Sequence, residues 1–408
     1  MSSGRTYFAV FGWLLVVVEF FIIVAICLLA YSYLNPLANE ETVKFIGHNE
    51  TYHRELVDEI NKQQKMWLAE YNPSAWTREH QKTKNRQETD GLDAEFQLRW
   101  KRQTANSTDG PLKDRLVGFE DHDFEIVGYN VPDSYIDEVN SLAGTPLPEH
   151  FDARQRWPMC ASVHDVFDQG ACGSCWAVAT AGAISDRICI HSNGTRQPQL
   201  SVEDIIACVN LKGNGCQGGH TYSVFKYWTE RGGLVTGGPF GSAAGCRPYN
   251  IDAECGHPCS TQAYKKHEYA CIRSCHPTYT KTYDQDLHRG NWFVWSSYPI
   301  HDDHHKSRIF DGRIVAFIKR NIMLHGPVAV SFDFPVDLQH YRRGVYSYVS
   351  GTYIFGHVVK AIGWGKEGDT EYWIMTNSFG RNWGENGFGR MAINAVPLDS
   401  FAFGMPAD

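Results

Sequence analysis

Eleven of the chain's twelve cysteines fall between Cys160 and Cys275, and the twelfth, Cys27, sits alone in an apolar N-terminal stretch. The simple arithmetic of that cluster is five pairs and one thiol left over. Such a pattern ties the fold to cross-links made in an oxidising lumen or outside the cell. Cys175 is the natural odd one out. It closes Gln169-Gly-Ala-Cys-Gly-Ser-Cys-Trp176, a glycine-rich turn that leads into the apolar run Trp176–Ile184. The run predicts a helix with Cys175 at its start, where partial positive charge and free N–H groups favour a thiolate over a thiol. Gln169, just upstream, offers a side-chain amide able to donate to an oxyanion.

A thiolate nucleophile needs a proton partner, and that partner needs orientation. From residue 147 the chain reads as two halves. The first holds the Cys175 helix and a second helix opened by Ser201-Val-Glu-Asp204, a capping-box pattern. The second half carries strand signals at Val328–Phe332, His357–Trp364, Glu371–Asn377 and Gly387–Met391. One helix, Arg313–His325, intervenes and stops at Gly326-Pro327. His357 follows a glycine that leaves its ring room, and Asn377 ends the next strand in Asn377-Ser-Phe-Gly380. Pairing of those strands brings His357 and Asn377 together. A helical half against a β half leaves a cleft between them, the default place for a site.

The segment from Leu147 to the C-terminus resembles the papain family of cysteine proteases, in its cathepsin B branch. The resemblance rests on the turn at Cys175, on Leu147-Pro-Glu-His-Phe-Asp-Ala-Arg-Gln-Arg-Trp-Pro158, and on Ile184-Ser-Asp-Arg-Ile-Cys-Ile-His191. Gly215-Cys-Gln-Gly-Gly219 and Gly245-Cys-Arg-Pro-Tyr249 are typical of the same branch. It implies an α+β, papain-like two-lobed fold, with a helical lobe over about 157–270 and a β-barrel lobe over about 271–408. It implies Cys175 as nucleophile, His357 as general acid and base, Asn377 as orienter of the imidazole, and Gln169 in the oxyanion site. Gly218 and Gly219 would form a substrate-facing wall. The disulfides it implies are Cys160–Cys189, Cys172–Cys216, Cys208–Cys271, Cys246–Cys275 and Cys255–Cys259; sequence alone leaves the connectivity open. The reaction would be peptide-bond hydrolysis through a thioester, with protein or peptide substrates and no cofactor. The rival reading is a non-catalytic binding protein on the same fold.

Three departures bear on specificity. The branch's occluding loop carries two adjacent histidines, whereas Cys255-Gly-His-Pro-Cys259 keeps only His257, with Asp168 in the place of its ionic partner. Weak removal of C-terminal dipeptides and dominant internal cleavage are expected. Ser400 stands where the branch has an acidic residue at the base of a specificity pocket, so arginine should lose its advantage there. Phe379 replaces a tryptophan that shields the His–Asn bond. His301-Asp-Asp-His-His305 lies in an insertion and reads as a solvated loop, so no metal is assigned.

Length, charge and the first third of the chain complete the picture. The 408 residues suffice for two or three folding units. A net charge of −8 without a basic stripe excludes nucleic acid as a partner. Residues 8–34 are almost wholly apolar, long enough to span a bilayer, with Arg5 before and Glu40-Glu41 after. Residues 1–34 are therefore expected to be an uncleaved signal anchor in preference to the alternative, a long cleaved signal peptide; either places the rest in the secretory lumen, a lysosome or the extracellular space. Sequons at Asn49, Asn106 and Asn193 agree with that address. Residues 35–146 read as propeptide and linker. A helical stripe over 50–70 (Leu56, Val57, Ile60, Trp67, Leu68) resembles the family's inhibitory propeptide. A charged stretch from Arg78 to Gly110 holds Arg99-Trp-Lys-Arg102, which reads equally as a processing site or an ordinary loop.

Overall fold

A computed structural model describes residues 43–46, 49–75, 77–80, 110–117, 119, 125–209, 215–253, 270–297, 312–395 and 398–407. The apolar stretch 8–34, Asn106, Arg99–Arg102, the Cys255–Cys259 loop with His257, and His301–His305 lie outside these residues. Among the described residues no helix is long and apolar enough to cross a membrane. The chain divides into two units, 1–44 with 79–92 and 45–78 with 93–408. The first is almost entirely outside the described residues, and all that follows concerns the second.

Helix α1, Glu50–Gln63, starts where the Asn49 side chain accepts the Tyr52 N–H, and it buries His53, Leu56, Val57 and Ile60 at helical spacing. The stripe expected over 50–70 breaks at Gln63. The Gln64 side chain takes both the N–H and the carbonyl of Trp67, and Asn61 does the same for Ala69. Those amides turn Trp67–Ala69 into a short strand, β1. Strands β2 (Gly110–Pro111) and β3 (Glu125–Tyr129) and helix α2 (Asp133–Ser141) also precede residue 147.

After the two-residue strand β4 (Phe151–Asp152) and a single helical turn at Ala153–Arg156 come the longer helices α3 (Cys175–His191), α4 (Val202–Cys208) and α5 (Thr221–Glu230). Ser201 caps α4 through the Asp204 N–H, as the capping-box pattern expects. Helix α3 is buried on almost every face, because it packs against α4 and α5 on one side and the sheet on the other. Disulfides Cys160–Cys189, Cys172–Cys216, Cys208–Cys271 and Cys246–Cys275 tie this half together.

The β half holds β5 (Gly290–Ser297), helix α6 (Gly312–His325), β6 (Val328–Pro335), β7 (Tyr341–Tyr346), β8 (Tyr353–Glu367), β9 (Thr370–Thr376), β10 (Phe388–Ala392) and β11 (Leu398–Pro406). Their order across the sheet is β1-β7-β10-β9-β8-β6-β11-β5-β3-β2, with β4 also on β8. Segments from before residue 147 therefore add strands at both ends of the sheet. One apolar cluster lies beneath α6 and another around α3, and they meet along β6, β8 and β11. That seam carries the site.

Candidate active site

Cys175 opens α3 and is 8% exposed; among the described residues it is the free cysteine. Ser174 precedes the helix without capping it, its hydroxyl being hydrogen-bonded to the Tyr249 hydroxyl at 2.8 Å. The first N–H groups of α3 are thus left to the thiol. Backbone N–H groups of Val358, Trp176 and Cys175 itself act on the sulfur and favour the thiolate. Burial opposes them and pushes the thiol up to about 11. The Val358 contact brings the sulfur to the residue next to His357, across the seam between the halves.

His357 lies on β8 and is 1% exposed. Antiparallel pairing of β8 with β9 brings Asn377, just past the end of β9, to the imidazole. The His357 Nε2–H donates to Asn377 Oδ1 at 2.8 Å, and the Ser378 N–H holds that oxygen from the other side at 2.8 Å. With Nε2 carrying the proton, Nδ1 is left as the basic nitrogen. It is buried and makes no hydrogen bond among the described residues. Burial lowers the imidazole to about 4, with the Asn377 bond opposing. Each group resists charging alone.

Gln169 is 5% exposed and held at both ends of its amide. Its Oε1 accepts the Ser378 hydroxyl at 2.5 Å, and its Nε2 donates to the Cys172 carbonyl at 2.8 Å. One Nε2–H remains for another acceptor. Gly219 lets the wall approach the Cys175 helix: a Cβ there would stand 2.4 Å from the Trp176 indole. Above Gly218 a Cβ would meet nothing within 4 Å, so this backbone faces open space. Ser400 on β11 and Ser331 on β6 share a hydrogen bond of 2.6 Å in the register row that ends at Val358. Asp168 receives the Gly170 N–H at 3.0 Å.

Sequence reasoning did not single out Ser378, Ser331, Phe332, Phe334 or Phe355. The adjacency of Ser378 to Asn377 is a signal for the first. The others follow from strand register, which a single sequence does not display.

Residues 147–400 match the papain family of cysteine proteases. The chain is 34% identical over 350 residues to cathepsin B-like cysteine proteinase 3 of Caenorhabditis elegans, covering 85% of this chain and 80% of that one. It is 38% identical over 252 residues to the cathepsin B-like cysteine proteinase of Schistosoma japonicum, covering 60% of this chain and 68% of that one. Among solved structures it is similar to procathepsin B S9 from Trypanosoma congolense, with a TM-score of 0.51, 28% identity, and cover of 65% of this chain and 80% of that chain. The chain belongs to the papain family of cysteine proteases, and within it is a cathepsin B-like enzyme made as a proenzyme.

Proposed function

We propose that the enzyme cleaves internal peptide bonds with Cys175 as nucleophile and His357 as its proton partner. In this reading Nδ1 of His357 takes the thiol proton to give a thiolate–imidazolium pair, and the thiolate then attacks the scissile carbonyl, forming a C–S bond. The oxyanion accepts from the free Gln169 Nε2–H and the Cys175 N–H. The imidazolium then protonates the leaving amine as the C–N bond breaks, and water releases the acid from the thioester with His357 again as base. Asn377 keeps the imidazole in the tautomer this needs. The observation that supports the reading is the hydrogen bond from the Val358 N–H to the helix-start sulfur, one residue along β8 from a buried imidazole whose Nδ1 makes no hydrogen bond among the described residues. Replacing Cys175 by Ala in the acid-activated enzyme should abolish turnover of internally quenched peptides and labelling by an electrophilic active-site probe. Residual turnover at wild-type rate would end it. Gln169→Ala should cost about 10²–10³ in kcat, the usual loss for one oxyanion donor.

Residues 35–146 are proposed as propeptide and linker, 1–34 as signal anchor or signal peptide and 147–408 as the two-lobed peptidase. The disulfides support a secretory, lysosomal or extracellular address, and Asn49 and Asn193 are exposed, as glycan acceptors must be. Inhibition by the propeptide is supported by β1, which follows α1 and extends the sheet at β7. His257 alone is proposed to leave dipeptide removal weak. Efficient release of dipeptides from free-carboxylate peptides, with quenched internal sites left intact, would refute that. The Ser400 hydroxyl bonds that of Ser331 and neither side chain carries a charge, so arginine should not outperform an apolar residue in peptide libraries.

A further inference from the structure

Four phenylalanine rings stand around the His357 imidazole. Centroid distances are 5.8 Å for Phe332, 5.2 Å for Phe334, 5.7 Å for Phe355 and 5.0 Å for Phe379. The first three stand edge-to-face to it, and Phe379 lies over it at 30°. Strand geometry explains the arrangement. Phe332 and Phe334 are two residues apart on β6, as are Phe355 and His357 on β8, so each pair shares a face. The register sets His357 opposite Phe332 and Phe355 opposite Phe334. Cross-strand stacking follows: Phe355 lies on Phe334 at 4.9 Å and 8°, and Phe334 meets Phe379 at 5.6 Å. Phe332, Phe334 and Phe379 are at most 2% exposed, whereas Phe355 is only half-buried.

We propose that Phe355 is a positioning residue for His357: it closes the open wall of an aromatic box that keeps water off the imidazole and thereby limits activity on the alkaline side. This rests on the reading of His357 as the proton partner of Cys175. The ionisable groups on the packed elements do not offer an alternative control. Cys175 comes from α3. Lys360, further along β8, is paired with Asp186 at 2.7 Å. Asp333 of β6 stands opposite Gly356 on the other face of the strand pair, and Asp168 bonds the Gly170 N–H. What acts on the imidazole's proton affinity is burial, which lowers it, and the Asn377 bond, which raises it.

The sign follows directly. Active enzyme needs the imidazolium paired with the thiolate, and that pair is lost when His357 gives up its proton. A box that excludes water disfavours the imidazolium and pulls this loss to lower pH. Opening the box should push it higher. The test is the pH profile of kcat/KM for an uncharged peptide substrate, with acid-activated full-length chain. Phe355→Ala should move the alkaline limb up by roughly 0.5–1 pH unit, and Phe355→Leu, which fills the space without an aromatic ring, should return it to the wild-type position. A side chain that merely packs would lower the melting temperature and leave the limb in place. A folded F355A enzyme with an unmoved limb, or an F355L enzyme shifted as far as F355A, overturns the proposal. His357→Ala separates the two levels. If it is inactive while F355A shows no shift, the box alone is wrong; if it retains hydrolysis, the base assignment falls and the box with it.

Discussion

Glu203 shows how one residue can give the enzyme a pH signature away from the cleft. It lies on α4, 6% exposed, and burial raises its carboxyl from 4.5 to about 7, with Arg247 and the Asn250 N–H opposing. A carboxyl whose folded value lies above its unfolded one binds its proton more tightly when folded. Its contribution to stability is complete below about 4.5 and is lost as pH rises through about 7. Glu203→Gln should therefore leave stability unchanged near pH 4.5 and raise it at pH 8 by about 1–3 kcal/mol of unfolding free energy, seen as a higher melting temperature. Equal melting curves for both proteins at pH 8 would dispose of this. Cys175, His357, Asn377 and Gln169 stand out in the sequence because the chemistry proposed for them demands particular side chains in recognisable frames; in the fold His357 bonds Asn377, and Gln169 bonds the neighbouring Ser378. Glu203 and Phe355 were not. Nothing in Val202-Glu-Asp204 or Tyr353-Ile-Phe-Gly356 announces what those side chains will face once strands and helices pack.

Among the elements, α1 and β1 are held to the β half by contacts that only the folded chain displays. Trp67 is 4% exposed, donates its Nε1–H to the Ser347 carbonyl at 3.0 Å, and packs on Tyr346 at 5.0 Å and Tyr341 at 6.2 Å. His53 of α1 meets His340, Nδ1 to Nε2, at 2.9 Å in a buried pair. Close approach of the strand depends on Gly344 (φ +100), where a Cβ would fall 2.4 Å from the Met66 carbonyl. The periodicity that identified α1 ran straight through the turn at Gln64, because Trp67 and Leu68 continue an apolar pattern in number but not in conformation. Trp67→Ala removes about 3–5 kcal/mol of packing. A synthetic peptide spanning 49–75 should inhibit activated enzyme at least about a hundredfold less well with this change. An inhibition constant that does not move would mean the strand contributes nothing to holding the propeptide.

Across the whole molecule, composition turns globular at Leu147, yet the hydrophobic core does not begin there. Leu112, Leu116, Phe119, Ile126, Tyr135, Ile136 and Val139 are each at most 8% exposed and share one cluster with Trp292, Phe317 and Ile318. Strand β3 pairs with β5 from Glu125↔Ser297 to Tyr129↔Phe293, so the sheet itself continues into this segment. Tyr135 packs on Trp292 at 4.6 Å, and its hydroxyl accepts from the Asn321 side chain. Arg320 donates to the carbonyls of Ala143 and Thr145 at 2.8 and 2.9 Å. The sequence did not reveal this, because the apolar residues of 110–146 are divided among a single turn, a short strand and a short helix, none long enough to set a period. Seven buried side chains at about 1.5–3 kcal/mol each are comparable to the whole stability of an ordinary domain. Limited proteolysis confined to residues 81–109 should therefore leave 110–146 attached and the melting temperature unchanged. A chain beginning at Leu147 should instead bind a hydrophobic dye and melt more than about 10 °C lower. Equal melting of the two products, without dye binding, would show that the β half closes its own core and that 110–146 is a detachable cover.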